Sequence, residues 1–183
     1  MESKIKEFVN GFLLALQNVK RNELKRCSFE IKCDTLKDYL NNNILDEISE
    51  HKSLFNFLQS QKGPTLYWIE KNSETSNEKI HKALKSYNGE RSTTAVKNEI
   101  NVDTTCLYVG KVKDGFWARV MTHLGYHKST NLQGLQLYHW AKGLGLTIRV
   151  HYIVFDENMA DLLPALEASL AREMKPLFGT RHG

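Results

Sequence analysis

The chain has 183 residues, 41% hydrophobic and 25% charged, which fits a globular protein with its own core and excludes a disordered or fibrous chain. Its three cysteines, Cys27, Cys33 and Cys106, are an odd number with neither CxxC nor Cys/His zinc spacing, which argues against a disulfide or zinc framework and for a reducing, cytoplasmic setting. A formal net charge of +4 favours an anionic partner without naming one.

At the N-terminus the apolar run over residues 12–16 is short and Glu2 and Glu7 interrupt its front, so neither an export signal nor a membrane span is expected. Ile5, Phe8, Val9, Phe12, Leu13 and Leu16 follow helical spacing and predict an amphipathic helix with one buried face. Leu36, Tyr39 and Leu40, then Ile44, Leu45 and Ile48, then Leu54, Phe55 and Leu58 repeat that spacing, broken by Asn41-Asn42-Asn43. Residues 1–62 therefore read as an N-terminal helical extension.

After Gly63-Pro64 the period changes. The segments TLYWI at 65–69 and CLYV at 106–109 are short, aromatic and β-branched, and LTIRVHYIVF at 146–155 is the strongest strand of the chain. These predict strands over 65–70, 105–110 and 146–155. Residues 72–104 are polar and charge-balanced and read as an insertion, with one helix marked by Ile80, Leu84 and Tyr87 and stopped by Asn88-Gly89. A helix is expected from Phe116 to Leu124, a second over 132–142 ending at Gly143, and a last one opened by Pro164, with Leu163, Leu166, Leu170 and Met174 on its apolar side and Pro176 beyond its end. The expected fold is α/β (α+β), with a small central, mostly antiparallel, three-stranded sheet flanked by helices.

Several residues break these patterns in ways that suggest chemistry. Glu167 lies along the core-facing edge of the last helix, where a carboxylate needs a cation, a metal or water. Arg119 and His123 are four apart and rise from one helix face, able to converge on one anion, although alone that spacing is a weak signal. Tyr67 and Tyr108 sit in matching strand contexts, LYW and LYV; aromatic residues in strands are usually core. Between residues 105 and 155 the bases Lys111, Lys113, Arg119, Lys128, Lys142 and Arg149 face a single acid, Asp114, and could neutralise phosphates, or simply form a solvated basic face.

Taken in order, the segment LYVGK, then Arg119 and His123 on the following helix, then Glu167 in LEASLAREMKPLF, resembles the GIY-YIG nuclease family. The resemblance covers roughly residues 63–179, with TLY at 65–67 standing for the first motif and Gly179 standing where the family carries an asparagine. It implies a catalytic domain over 63–183, carrying the insertion 72–104, that hydrolyses phosphodiester bonds in nucleic acid, with duplex DNA the expected partner. The resemblance implies Tyr108 near the attacking water, Lys111 tuning its proton affinity, Tyr67 alongside, Arg119 on the scissile phosphate and His123 beside it. Glu167 would be the single protein ligand of one Mg²⁺ or Mn²⁺, and Lys113, His127 and Lys128 contacts to substrate phosphates. One centre cuts one strand at a time, so a homodimer is one route to a double-strand break. The alternative is a catalytically weak or inactive relative that binds nucleic acid without cutting. A small-molecule enzyme has no support, because no nucleotide-binding glycine loop or Ser/His/Asp arrangement is present.

Overall fold

A computed structural model describes residues 2–21, 25–39 and 51–179. Helices and strands follow one another as α1 (Glu2–Arg21), β1 (Arg26–Lys32), α2 (Lys52–Ser60), β2 (Thr65–Lys71), α3 (Asn77–Lys85), β3 (Cys106–Val112), α4 (Phe116–Leu124), β4 (Thr147–Val154) and α5 (Leu163–Met174). The four strands form one antiparallel sheet in the order β1-β4-β2-β3. The α+β class is as expected, but the sheet has four strands rather than three.

The additional strand, β1, comes from within residues 1–62, which were expected to be helical. Arg26 to Lys32 alternate exposed and covered side chains, with Ile31 buried, and pair from Arg26↔Ile153 to Lys32↔Thr147. That period-two alternation is short and carries Arg26, Glu30 and Lys32, so its strand signal is weak beside the helical segments on either side. Leu36 and Tyr39 are buried but follow a single 3-10 turn, Cys33–Thr35, rather than a helix. The expected residues Leu40 to Ile48 lie outside the described residues, whereas Phe55 and Leu58 do bury the inner face of α2. In α1, Val9, Leu13 and Leu16 are exposed rather than buried; Val19, near its C-terminal end, packs on the Leu66–Phe155–Met159–Leu163 cluster.

Alternation along β2 assigns the two faces of the sheet. Tyr67 and Ile69 join Ile148, Val150 and Tyr152 of β4 in the main core, beneath α2, α3 and α4. Trp68 and Leu66 point the other way and are covered by α5, through Ala171 and Leu170 on one side and Leu163 and Leu166 on the other. Both faces are buried, so the apolar run TLYWI is continuous.

The insertion is anchored at both ends. Asn77, at the first turn of α3, donates its side-chain amide to the carbonyls of Asn101, Val102 and Thr104, closing the returning limb. No helix forms over 132–142; only the 3-10 turn Leu137–His139 does, because Gln136 adopts a left-handed backbone and Gly134 is hydrogen-bonded to Thr94 of the insertion. No helix among the described residues is long and apolar enough to cross a membrane.

Candidate active site

Strand β3 is the sheet edge and organises the site. The C-terminal segment pairs with its first half, Leu177 N–H donating to the Cys106 carbonyl and Phe178 N–H to that of Leu107. Beyond this cover a cleft of about 260 Å³ opens, lined by Tyr108, Lys111, Glu167, Ala171, Phe178 and Gly179 among others. Pleating sends Tyr108 towards the α4 side and Lys111 towards the α5 side, so the cleft wraps the edge and draws one group from each face.

On the α5 side Lys111 Nζ meets Glu167 Oε2 at 2.7 Å, with the Glu167 side chain only 14% exposed. The acid on the inner edge of α5 thus has the cation its position demands. Its other oxygen, Oε1, accepts no hydrogen bond among the described residues. A hard dication held by one carboxylate, with waters in its remaining positions, fits such a donor; among the described residues there is no cluster of three or more His, Cys, Asp or Glu that could hold a metal.

On the α4 side the two tyrosine rings stack, centroids 6.2 Å apart, and His123 packs against both. Tyr67 is fully buried; its Oη lies 3.0 Å from His123 Nε2 and accepts a long bond, 3.4 Å, from Arg119 Nε. Arg119 also donates through a terminal nitrogen to the Gln133 carbonyl at 3.2 Å. Burial foremost, then neighbouring Tyr108, pushes the Tyr67 phenol well above its usual value, with Arg119 working against both. Burial and then Arg119 hold the His123 imidazole well below the usual histidine value, so it is neutral at neutral pH. Burial opposes the Arg119 charge, yet the Tyr67 and Tyr108 oxygens outweigh it, and its pKa rises further.

Gly110 makes this packing possible. It is the β3 partner of Tyr67, and a Cβ there would lie 2.5 Å from Tyr67 Oη and 2.7 Å from Tyr108 Cε1. The glycine of LYVGK leaves the gap through which the Tyr67 phenol reaches Arg119 and His123.

Of the nine residues singled out in the sequence, Tyr67, Tyr108, Arg119 and His123 form one contiguous cluster, and Lys111 and Glu167 meet across the cleft. His123 Nε2 faces Tyr67 rather than Tyr108. The remaining three are peripheral: Lys113 is exposed and paired with Asp161 at 3.2 Å, His127 is half-buried with its carbonyl held by Arg91, and Lys128 is exposed. In the basic stretch, Lys111, Lys113 and Arg149 are paired with acids, leaving Arg119, Lys128 and Lys142 without a carboxylate partner among the described residues. The sequence offers no sign of Gln133 and Leu135, which reach the cluster through main-chain groups; Gly134 between them is the one visible hint of a tight turn. Neither a family model nor a curated protein nor a solved structure matches this chain.

Proposed function

We propose that the chain is a metal-dependent endonuclease of GIY-YIG type, hydrolysing phosphodiester bonds in nucleic acid, with duplex DNA as substrate. One observation carries the reading: six residues spread from position 67 to position 167 meet around the β3 edge, two tyrosines, an arginine and a histidine on one side, a lysine and a glutamate on the other. The Arg119 guanidinium, permanently charged, binds the scissile phosphate and stabilises charge that develops on its oxygens. Tyr108, whose ring lines the cleft, sits beside the attacking water and relays its proton to solvent, with Lys111 two positions after Val109 on the same strand, on the α5 side of the cleft. Tyr67, buried behind it, orients Arg119. A Mg²⁺ or Mn²⁺ at Glu167 would supply Lewis-acid stabilisation of the phosphate and its leaving oxygen. Glu167 would hold the ion while sharing its carboxylate with Lys111. Lys113, His127 and Lys128, outside the cluster, would contact substrate phosphates further along the nucleic acid.

A second reading, a protein that binds nucleic acid without cutting, is favoured by the Lys111–Glu167 ion pair, which occupies one oxygen of the only acid that lines the cleft among the described residues, and by Gly179 in place of the family's asparagine. Incubating supercoiled plasmid and labelled single-stranded DNA and RNA with Mg²⁺ or Mn²⁺, wild type beside Glu167→Ala, separates the two. Metal-dependent cleavage lost in the variant supports the nuclease; binding with every substrate left intact supports the second reading.

A further inference from the structure

The turn Gln133-Gly134-Leu135-Gln136 hydrogen-bonds to the cluster through its backbone. The Gln133 carbonyl accepts from Arg119 at 3.2 Å, and the Leu135 N–H donates to His123 Nδ1 at 3.1 Å. The turn is wedged in place. A Cβ at Gly134 would lie 2.9 Å from both the Thr122 methyl and the Thr122 carbonyl oxygen of α4. On its other side the insertion grips it, with Thr94 N–H donating to the Gly134 carbonyl at 2.8 Å. Gln136 is fully buried in a left-handed conformation, φ 56°, and its side-chain amide donates to the carbonyls of Leu132 and Ser92. A non-glycine residue at positive φ is strained and persists only where the surroundings over-determine it.

A neutral imidazole has one N–H and one acceptor nitrogen, and the bond made by one decides the role of the other. Because Leu135 donates to Nδ1, that nitrogen holds the lone pair and Nε2 holds the hydrogen. Nε2–H then donates to Tyr67 Oη, which also accepts from Arg119 Nε. We infer that the Gln133–Gln136 turn is a positioning element: its Leu135 N–H locks His123 as the neutral Nε2–H tautomer, so that His123 is a donor to Tyr67 and not a base that withdraws its proton. Its Gln133 carbonyl simultaneously fixes the guanidinium. The insertion, by holding the turn, sets the hydrogen bonding of the cluster indirectly. The tautomer stands independently of any activity; the catalytic consequence rests on the nuclease reading.

The test is long-range ¹H–¹⁵N correlation of the histidine rings in the ¹⁵N-labelled full chain, the His123 signals identified by their absence from His123→Gln. From about pH 5.5 to 8 the expected pattern is a single tautomer, Nε2 protonated and Nδ1 not. Gly134→Ala, which pushes the turn off Thr122, is expected to replace that pattern by a mixture of tautomers, and to lower kcat for cleavage at least about tenfold with KM changed less than threefold, as for a misplaced catalytic donor. A protonated Nδ1, an averaged pair of tautomers in wild type, or a wild-type pattern retained in Gly134→Ala overturns the inference. Should Gly134→Ala fail to fold, the wild-type spectrum decides alone. A locked Nε2–H tautomer in a protein that cuts no nucleic acid upholds the positioning role and removes the nuclease reading instead.

Discussion

Gly110→Ala gives a prediction whose sign is diagnostic. Replacing a strand glycine by alanine ordinarily stabilises by about 0.4–1 kcal/mol, because alanine leaves the unfolded chain less freedom to lose. Here the added Cβ would sit 2.5 Å from Tyr67 Oη and 2.6 Å from its Cζ, so the phenol has to retreat by about 0.9 Å to regain ordinary contact at 3.4 Å. That retreat opposes the bond to His123, 3.0 Å long, and breaks the longer one to Arg119. Overpacking costs about 1–3 kcal/mol, and each of the two bonds contributes about 0.5–1.5 kcal/mol. Set against the gain, the net loss is about 1–5.5 kcal/mol, read as a lowered urea midpoint at unchanged m and a fall in Tm of about 2–4 °C per kcal/mol for a chain of this size. The His123 Nε2–H resonance should move at the same time. A Gly110→Ala protein as stable as wild type or more so, with that resonance in place, would refute the packing argument.

Other consequences are separate and simpler. Tyr67→Phe leaves the His123 and Arg119 donors without their buried acceptor and should cost about 1–3 kcal/mol in chemical denaturation; a neutral result would mean that the cluster is not hydrogen-bonded as described. Because the folded His123 resists protonation and the unfolded chain does not, stability should be complete above about pH 6.5 and fall as pH drops below it, by up to about 1.4 kcal/mol per pH unit for this group. Denaturation midpoints that do not change from about pH 7 to pH 5.5 would contradict this. Burial pushes the Cys33 and Cys106 thiols up to about 12, so iodoacetamide should label half-exposed Cys27 in the native protein and the other two only on unfolding; native labelling of Cys106 would show that the α5 face opens.

The sequence made the side of this fold that carries the candidate site legible because its signals were unmixed. TLYWI and CLYV are apolar over a whole strand length since both faces of their sheet are covered, LTIRVHYIVF is rich in β-branched and aromatic residues despite Arg149 and His151, and α4 and α5 carry helical apolar stripes. The fourth strand was not legible, because β1 is a short edge strand whose outward face carries Arg26, Glu30 and Lys32. Nor was the loss of helix over 132–142: Leu135 and Leu137 are indeed buried, but the insertion and α4 compress the chain there into a turn, a tertiary effect that no local window contains. Within the site, side chains with unusual chemistry for their position, such as Glu167 on a core-facing edge, announced themselves. Groups acting through the main chain, such as the Leu135 N–H and the Gln133 carbonyl, carry no residue-type signature.

The central claim is that the residues on the two sides of the β3 edge act as one catalytic centre. Single-turnover cleavage of duplex DNA in Mg²⁺ by wild type, Arg119→Ala, Glu167→Ala and the double variant tests it most directly. Groups that work as a unit are strongly non-additive, so each single change should lower the rate by about 10² or more, and the double change by scarcely more than the worse of the two. No cleavage by wild type, or single losses that multiply in the double variant, would contradict the account.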